Sequence, residues 1–492
     1  MGDPAKVGRC CPVTMPRHTK IVATLGPATD DQRILTELIR AGADLVRINF
    51  SHGTPEDHAQ RVRLVRDSAD AAGRYVGILG DLSGPKIRIE RFAAGPVTLA
   101  DGAEFTLDTA MDPGAGTGAA VGVTYKALPR DVAPGDTLLL NDGLIALEVT
   151  RVEGSRVITR VALGGELGNN KGLNKQGGGL SAGALTDKDR QDIRTAAELG
   201  VDYLAVSFVR NADDVHEAKR LLMSAGGDGR IVAKIERGEA IQELEHIVEA
   251  SDGVMVARGD LGVEVGYAEL TGLQKRIISL ARARNRPVIT ATQMMESMIV
   301  NPVPTRAEVS DVANAVMDGT DAVMLSAETA VGRYPVKVVQ AMAQVIEGAE
   351  KWQMTYRRDR VRLDEHFTHS GEAIAAAVMF TANHLDVKAI VALTESGSTP
   401  LWMSRIRSDI PIYAFTRQER TRRRVTLYRG VYPIAFDVTH TDPEILYPTI
   451  FDLLIELGLA AEGDLIVATK GELTGVGGGT NSMKILKVTR RT

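Results

Sequence analysis

The sequence predicts an α/β fold in which a (β/α)₈ TIM barrel carries an inserted small all-β domain and is followed by an open α/β domain. Three observations lead to this prediction. Eight short apolar runs recur, and each is followed by a segment with apolar residues at helical spacing. The recurrence is interrupted once by about a hundred residues of strand-like alternation. A second α/β alternation begins in the last third of the chain.

The eight runs are rich in β-branched residues and almost continuously apolar, as is typical of parallel strands buried on both faces. In chain order they are KIVATLG (20–26), LVRINFS (45–51), VGILGDL (76–82), DYLAVSFV (202–209), RIVAKIE (230–236), GVMVARGD (253–260), PVITATQ (287–293) and AVMLSAE (322–328). An open doubly wound sheet has the same periodicity, but eight strand–helix units favour the closed barrel. We therefore assign residues 18–86 and 185–352 to the barrel.

The interruption, residues 87–184, alternates polar and apolar positions between turn signals such as Pro134-Gly135-Asp136 and Asn141-Asp142-Gly143. This pattern indicates a small inserted β-barrel. It leaves the main barrel after the third strand, at the end where such barrels keep their chemistry, so we expect it to act as a hinged cap.

Residues 353–492 are assigned to a carboxyl-terminal α/β regulatory domain. The charged stretch YRRDRVRLDEH (356–366) marks its start, and the expected strands are AIVALTES (389–396), PIYAFTR (411–417) and DLIVATKG (464–471). Residues 1–17 are mostly polar and lack a repeating pattern, so they are predicted to form an N-terminal tail.

Composition excludes several classes of protein. The chain has 492 residues, 58 Lys and Arg against 63 Asp and Glu, and a net charge of −5, which argues against a nucleic-acid partner. It has no apolar run of transmembrane length, so no membrane association is expected. Its two cysteines, Cys10 and Cys11, are adjacent and form no disulfide framework, which is typical of a reducing compartment and favours a cytoplasmic location.

Polar residues spaced by two stand near the ends of four predicted strands. Side chains at this spacing share one face of a strand, and the ends of barrel strands converge. The sets are Arg47, Asn49 and Ser51; Lys234 and Glu236; Thr290 and Thr292; and Ser326 and Glu328. One pair alone is compatible with a structural salt bridge, but four sets together predict an active site, because each buried polar group needs a partner.

The acidic members predict a divalent metal. Glu236 and Asp260 close adjacent strands, and two carboxylates with open positions suit Mg²⁺ or Mn²⁺. A helix-capping role is the alternative for Asp260. Arg47, Lys234 and Arg88 add positive charge, so we expect an anionic, phosphorylated substrate. The sequence contains no P-loop, so the phosphate must be held in another way.

Six motifs in the same order resemble the pyruvate kinase family, and the resemblance runs from Lys20 to the carboxyl terminus. The motifs are KIVATLGPA, RINFSHG, AKIERGEA, MVARGDLG, TATQMMESM and SAETAVGRYP. The resemblance implies phosphoryl transfer from phosphoenolpyruvate to ADP, giving pyruvate and ATP in the last step of glycolysis. It also implies a homotetramer.

The resemblance assigns roles to matching residues. Lys234 matches the lysine that neutralises the transferring phosphoryl group, Arg47 the phosphate-binding arginine, and Glu236 and Asp260 the Mg²⁺ or Mn²⁺ ligands. Gly259, Asp260 and Thr292 match the substrate pocket, and Thr292 is implied to lie near the enolate carbon that is protonated. The matching nucleotide-side residues are Asn49, His52, Arg88 and Lys171.

One departure from the family pattern predicts that K⁺ is not required. Many members have Asp-Thr-Lys-Gly-Pro-Glu after the third strand, whereas this chain has DLSGPK at 81–86. Relatives with lysine at the last position are typically independent of K⁺. We expect Asn49, Ser51 and Asp81 to form an oxygen-rich monovalent-cation pocket, to which Lys86 supplies the positive charge.

The carboxyl-terminal domain is expected to bind a phosphorylated effector. Thr394, Ser396, Gly397, Ser398 and Thr399 follow a predicted strand and could form an anion-binding nest, although ordinary helix capping explains the same residue types. The loop at 469–482 lacks the Trp and Arg of relatives that are activated by fructose 1,6-bisphosphate, and Glu472 would repel a second phosphate. A sugar monophosphate or AMP is therefore the expected effector.

Two other functions are compatible with parts of the sequence. A barrel that holds a pyruvate enolate on Mg²⁺ also suits a lyase or carboxyl-transfer enzyme, but such an enzyme has no need of Lys234 and a cap bearing Lys171. A catalytically silent scaffold is the second alternative. The intact set of charged residues argues against it, because buried charges without a function are costly to keep.

Overall fold

The structure is a computed structural model that describes residues 17–356, 367, 369–442, 444–471 and 479–490. Residues 1–16 of the predicted tail, most of the charged boundary stretch and Glu472 lie outside the described residues. The chain starts with two strand–helix units and a third strand. These are β1 (Lys20–Thr24), α1 (Gln32–Ala41), β2 (Leu45–Asn49), α2 (Pro55–Ala72) and β3 (Gly77–Asp81).

The inserted domain follows β3 and is built almost entirely from strands. Its elements are β4 (Val97–Leu99), β5 (Glu104–Asp108), β6 (Ala120–Gly122), α3 (Leu128–Asp131), β7 (Thr137–Leu140), β8 (Ile145–Glu153), β9 (Arg156–Leu163), β10 (Gly165–Leu167) and β11 (Leu173–Lys175). They form a six-stranded sheet of order β11-β7-β8-β9-β5-β6 and a separate two-stranded sheet of β10 and β4. The strands of this domain therefore form two open sheets, where the sequence predicts a β-barrel.

The chain then returns to the barrel. The elements are α4 (Asp187–Glu198), β12 (Tyr203–Val206), α5 (Ala212–Ser224), β13 (Arg230–Ile235), α6 (Gly238–Gln242), α7 (Leu244–Ala250), β14 (Gly253–Ala257), α8 (Arg258–Val265), α9 (Tyr267–Ala283), β15 (Val288–Ala291), α10 (Arg306–Asp318), β16 (Ala322–Leu325), α11 (Ala327–Ala330) and α12 (Pro335–Tyr356). Short 3₁₀ segments occupy Pro27–Thr29 and Glu296–Ile299. The eight parallel strands close in the order β1-β2-β3-β12-β13-β14-β15-β16, with β16 paired to β1. The predicted barrel is confirmed.

Several strands end earlier than the apolar runs predict. The backbone takes the left-handed conformation at Phe208 (φ 55°) and at Thr292 (φ 71°), and a strand cannot continue through such a residue. After β14 the chain enters helix α8 at Arg258. Ser326 and Glu328 lie beyond the end of β16, so the expectation that they share one face of a strand is wrong.

The carboxyl-terminal domain is an open α/β sheet, as predicted, with two more strands than expected. Its elements are α13 (Ser370–His384), β17 (Val387–Leu393), α14 (Ser398–Ser404), β18 (Ile412–Thr416), α15 (Glu419–Val425), β19 (Val431–Ala435), α16 (Leu446–Glu456), β20 (Leu465–Gly471) and β21 (Thr480–Lys487). The sheet order is β19-β18-β17-β20-β21, and β21 is antiparallel to β20. The boundary expected at 352/353 falls inside helix α12, which continues to Tyr356.

Four aspartates share one arrangement at the amino-terminal end of the barrel. The aspartates stand directly before the second, fourth, sixth and eighth strands of the barrel. Each carboxylate accepts the backbone N–H of a residue near the start of the barrel strand that comes one earlier in the chain. The pairs are Asp44 with Ile21 (2.9 Å), Asp202 with Ile78 (2.9 Å), Asp252 with Ile231 (2.9 Å) and Asp321 with Val288 (3.0 Å). The aspartates therefore join the strands into four neighbouring pairs.

The carboxyl-terminal domain docks on this end of the barrel through two of these aspartates. Arg423 forms an ion pair with Asp202 (3.0 Å), and Arg405 forms a bidentate ion pair with Asp321, one arm of which is 2.9 Å. The Asp321–Arg405 pair is buried, with side chains 1% and 6% exposed. Burying such a pair is tolerable only because both charges are fully partnered.

His18 lies at the same junction and makes the stability of the fold dependent on pH. Burial, followed by the charge of Arg429, lowers the pKa of His18 to about 4. The folded chain keeps this imidazole neutral, whereas the unfolded chain protonates it near pH 6.5. Stability is therefore fully present above pH 6.5 and decreases as the pH falls towards 4, by about 2 kcal/mol between pH 6.5 and 5.

Urea denaturation at pH 7 and pH 5 tests this prediction. His18→Gln should lose about 2 kcal/mol less than the wild type between the two pH values. His216→Gln, a control at an exposed histidine on α5, should keep nearly the wild-type dependence. If H18Q and the wild type lose the same stability, His18 is not the titrating group.

Within the part of the chain that the structure describes, no helix combines the length and the apolar character needed to span a membrane.

Candidate active site

Four charged side chains converge at the carboxyl-terminal end of the barrel. Arg47 in β2 donates from Nε to Asp81 Oδ2 at the end of β3, at 2.5 Å. Lys234 in β13 lies 3.3 Å from Asp81 Oδ1 and 3.0 Å from Glu236 Oε1, and it donates to Ser207 Oγ at 2.7 Å. The side chains of Lys234 and Arg47 are only 12% and 13% exposed. The structure thus brings together Arg47, Lys234 and Glu236, as the sequence predicts.

These charges stabilise one another. Burial alone would raise the pKa of Asp81, but Lys234 and Arg47 outweigh it, so the pKa lies below its ordinary value. For Lys234, burial is outweighed by the charges of Asp81 and Glu236, so its pKa is raised. Lys234 therefore remains a cation in a buried site, where its interaction with an anionic ligand is strong.

Glu236 and Asp260 are the two candidate metal ligands, and the structure places them on neighbouring segments. Glu236 directly follows β13, and its Oε2 accepts the N–H of Phe208 at 2.8 Å. Asp260 lies in the first turn of α8, directly after β14. Burial raises the pKa of Glu236, Lys234 opposes this increase, and the negative charge of Asp260 adds to it. Two hard carboxylates that repel each other are a donor set that fits Mg²⁺ or Mn²⁺.

The structure also shows how Phe208 reaches Glu236. A Cβ atom at Gly84 would lie 2.7 Å from the Phe208 ring, so only glycine allows this approach, and its φ of 66° also favours glycine. Gly84 and Pro85 then turn the chain towards the inserted domain. As a result Lys86 forms its ion pair with Asp260, at 3.3 Å.

The four residues of the expected monovalent-cation pocket therefore do not form one contact network. Asp81 is held by Arg47 and Lys234, and Lys86 faces Asp260. Asn49 Oδ1 accepts the N–H of Ser51 at 3.1 Å. The positive charge of Lys86 lies beside a candidate metal ligand.

Thr292 and Gly259 are in direct contact. The Thr292 hydroxyl accepts the Gly259 N–H at 2.8 Å and donates to the Ala291 carbonyl at 2.6 Å. A φ of 71° is unfavourable for a β-branched residue, and such conformations are concentrated at functional sites.

Arg258 holds this strained turn in place, and the sequence analysis did not identify it. Its buried guanidinium donates to the carbonyl of Thr292 at 2.7 Å and to that of Ala291 at 3.3 Å, and it pairs with Asp311 at 2.7 Å. The only signal in the sequence is its place before Gly259 in MVARGDLG.

The expected nucleotide-side residues lie on both sides of the site. Arg88 and Lys171 are exposed neighbours in the inserted domain, because the Ile89 N–H donates to the Lys171 carbonyl at 2.9 Å and Arg88 pairs with Gly172. His52 is exposed in the loop after β2, and Asn49 ends that strand.

Glu328 takes part in a different set of contacts. Its two carboxylate oxygens accept the N–H groups of Ser326 (2.6 Å) and Met295 (3.2 Å), so it joins the loops after β15 and β16.

Among the described residues no group of three or more His, Cys, Asp or Glu side chains is arranged to hold a metal. Substrate or water oxygens would therefore have to complete the coordination by Glu236 and Asp260.

Of the expected effector residues, Thr394, Ser396 and Gly397 lie between β17 and α14, and Ser398 and Thr399 begin α14. Thr394 Oγ1 accepts the N–H of Gly397 at 2.9 Å, and the Ser396 and Ser398 hydroxyls are 3.0 Å apart. Thr399 is buried, with its hydroxyl 2.6 Å from that of Thr480. The first four residues are therefore close together, and Thr399 points into the sheet.

Comparison with known families agrees with this geometry. The family model for the pyruvate kinase barrel domain matches residues 16–339, and the model for the pyruvate kinase alpha/beta domain matches residues 372–486. The chain belongs to the pyruvate kinase family. The resemblance stated from six sequence motifs is thereby confirmed, and membership of this family makes the chain a phosphotransferase.

Individual pyruvate kinases match nearly the whole chain. Pyruvate kinase II of Salmonella typhimurium is 55% identical over 476 residues, which cover 96% of this chain and 99% of that protein. The pyruvate kinase of Haemophilus influenzae is 52% identical over 459 residues, covering 92% and 96%. That of Geobacillus stearothermophilus is 44% identical over 476 residues, covering 96% and 80%.

Proposed function

We propose that this chain transfers the phosphoryl group of phosphoenolpyruvate to ADP, giving pyruvate and ATP, as in the last step of glycolysis. The observation that carries the proposal is the buried network of Arg47, Asp81, Lys234 and Glu236 at the catalytic end of the barrel. Phosphoryl transfer leaves little covalent chemistry to the protein and depends on positioning and charge neutralisation. Fixed cations in a nearly buried site provide both.

Each residue has a defined task. Lys234 neutralises the charge of the transferring phosphoryl group, and Arg47 holds the phosphate of phosphoenolpyruvate. Gly259 and Asp260 line the substrate pocket. Thr292 positions a water that delivers the proton to the enolate carbon, and the strained turn held by Arg258 supports this role.

Glu236 and Asp260 would hold Mg²⁺ or Mn²⁺. When bound, the ion supplies Lewis-acid stabilisation of charge on the phosphoryl oxygens. Asn49, His52, Arg88 and Lys171 contact the nucleotide, the last two from the inserted domain. Contacts from both sides of the cleft would exclude water when the substrates bind, which strengthens electrostatic interactions in the site.

Initial rates of pyruvate formation test this function. The complete mixture contains phosphoenolpyruvate, ADP and Mg²⁺, and matched reactions omit ADP or Mg²⁺. The proposal requires pyruvate only in the complete mixture. Pyruvate formed at the same rate without ADP would mean that phosphoenolpyruvate is hydrolysed and would contradict the proposal, and no pyruvate in any mixture would favour a lyase or a silent scaffold.

We also propose that the enzyme works without K⁺, because Lys86 supplies a fixed positive charge beside the acidic residues of the site. The 3.3 Å pair between Lys86 and Asp260 supports this role. The wild type should be fully active in buffer free of K⁺ and NH₄⁺, and Lys86→Glu should require added K⁺ for activity.

The control is Arg91→Glu, which reverses an exposed charge in the inserted domain and should leave the enzyme independent of K⁺. Full activity of K86E in K⁺-free buffer would refute the role of Lys86.

We further propose a cytoplasmic homotetramer that is activated by a sugar monophosphate or AMP bound at Thr394, Ser396, Gly397, Ser398 and Thr399. The hydroxyl groups and the left-handed Gly397 (φ 83°) between β17 and α14 support an anion site. Activation by fructose 1,6-bisphosphate alone would contradict the choice of a monophosphate.

A further inference from the structure

We propose that Glu264 is a positioning residue that fixes the inserted domain relative to the candidate metal carboxylates, and thereby sets the affinity for ADP. This inference rests on the proposed function, because it assigns part of the nucleotide site to the inserted domain. It is carried by the contacts of one buried residue with two other segments of the chain.

The Glu264 carboxylate joins the segments that hold the two candidate metal ligands. Glu264 lies on α8 one helical turn after Asp260, and its Oε2 accepts the N–H of Gly238 at 2.9 Å. Gly238 follows Glu236 by two residues at the start of α6. Glu264 is only 4% exposed, so its carboxylate oxygens need hydrogen-bond partners within the protein. The bond from Gly238 therefore fixes the start of α6 relative to α8.

The same residue holds the point where the chain leaves the inserted domain. Asn174 in β11 donates from Nδ2 to Glu264 Oε1 at 3.4 Å, and the Gly177 N–H donates to the Glu264 carbonyl at 2.9 Å. Both neighbours lie within six residues of Lys171, one of the proposed nucleotide contacts. A shift of Glu264 would therefore displace the side of the cleft that receives ADP.

The surroundings of this exit segment are adapted to close contact. Gly177, Gly178 and Gly179 all have positive φ, between 79° and 96°. A Cβ atom at Gly178 would lie 2.5 Å from Glu239 Oε2 and would displace that carboxylate, and the φ of 80° also favours glycine there. Glu239 accepts the Gly179 N–H at 2.5 Å. The barrel thus binds the exit segment through two acidic residues.

The chain passes from the barrel into the inserted domain and back again, and these two crossings lie close together beside Glu264. A small cavity of about 20 Å³, large enough for one water, is lined by Lys86 from the first crossing, Asn174 from the second, and Asp260 and Glu264 from α8. A single residue next to this cavity can therefore influence both crossings.

Steady-state kinetics and hydrogen exchange of Glu264→Ala test the proposal. The KM for ADP should rise about tenfold, since leaving a buried N–H without its hydrogen-bond acceptor costs roughly 1–3 kcal/mol. The KM for phosphoenolpyruvate should change less than twofold. In the free chain without Mg²⁺ or nucleotide, amides in peptides covering 174–180 should exchange about tenfold faster.

Three further variants make the test specific. Glu264→Gln keeps an oxygen that can accept one of the two side-chain bonds, so it should restore most of the affinity for ADP. Glu269→Gln changes an exposed acid on the next helix and should match the wild type. Asn174→Ala removes only the contact from the inserted domain and should raise the KM for ADP in the same direction, which keeps the test decisive if E264A does not fold.

The outcomes separate the inference from the proposed function. If the wild type forms pyruvate but E264A and N174A leave the KM for ADP unchanged, or change kcat and both KM values equally, the role of Glu264 is wrong. If the wild type forms no pyruvate, the proposed function fails. Hydrogen exchange then decides the structural part, and unchanged exchange at 174–180 in both variants would overturn it.

Discussion

Replacing Lys234 with glutamine is expected to lower kcat about 10³-fold or more, because the proposed phosphoryl-transfer site loses a buried cation. Lys234 contacts Asp81, Glu236 and Ser207. Burial alone would lower the pKa of Lys234, but the charges of the two carboxylates outweigh it, so the pKa is raised. No other described lysine ion pair joins both of these acids. The measurement is kcat and the KM for phosphoenolpyruvate under saturating ADP and Mg²⁺.

Lys219→Gln is the matched control, because Lys219 lies at the opposite end of the barrel, where it faces Asp252 at 3.6 Å. It should keep kcat within twofold of the wild type. Thermal unfolding of K234Q separates lost catalysis from lost folding, since Asp81 and Glu236 lose a common partner. A folded K234Q enzyme with nearly normal kcat would contradict the assigned role.

The second large effect is expected on stability. Asp321→Asn should lower the free energy of unfolding by about 3–5 kcal/mol, because it leaves the buried Arg405 guanidinium without its counter-charge. Asparagine is almost isosteric and can still accept the Val288 N–H at one of its two positions. The loss then reports on the other oxygen, Oδ1, which pairs with Arg405 and also accepts the Arg429 N–H at 3.0 Å. The measurement is urea denaturation followed by circular dichroism.

Asp252→Asn provides a control at the equivalent position. Asp252 accepts the N–H of Ile231 in the same way, but its cations, Arg230 and Lys219, are each 41% exposed. Solvent screens that pair, so the expected loss is about 1 kcal/mol. Equal losses in the two variants would show that the buried ion pair contributes no more than the exposed one, and would contradict this account.

The barrel was predictable because its strands are buried on both faces, which makes each strand a continuous apolar run. Two strands of the carboxyl-terminal sheet lack that signal. β19 contains Pro433, which a central strand would not tolerate, but β19 lies at an edge of the sheet. β21 is only partly buried and reads TNSMKILK, so the alternation of its polar and apolar residues is weak.

The site was predictable where neighbours in space are also neighbours in sequence. Lys234 lies in β13 and Glu236 directly follows that strand, so their contact follows from a separation of two residues. Lys86 was expected beside Asp81, five residues earlier. The turn at Gly84 and Pro85 instead carries it to Asp260, 174 residues away in the chain. Pairings of this kind depend on backbone direction, which the sequence specifies only indirectly.

The contacts of Arg258 and Glu264 were missed for the same reason. Arg258 binds backbone carbonyls that are 33 and 34 residues away, and Glu264 binds Asn174, which is 90 residues away. The four strand-leading aspartates did leave a signal, since GADLV, GVDYL, SDGVM and GTDAV each place Asp just before an apolar run. A search for internal repeats would have identified three of them by the shared Gly-x-Asp spacing.

Phosphorus NMR of a reaction mixture tests the central claim most directly. The full chain is incubated with phosphoenolpyruvate, ADP and Mg²⁺, and the phosphoenolpyruvate signal is followed together with the γ-phosphate signal of ATP. The proposed function predicts that each phosphoenolpyruvate lost yields one ATP, and that neither signal changes when ADP is omitted. Loss of phosphoenolpyruvate without formation of ATP, or no loss at all, would contradict it.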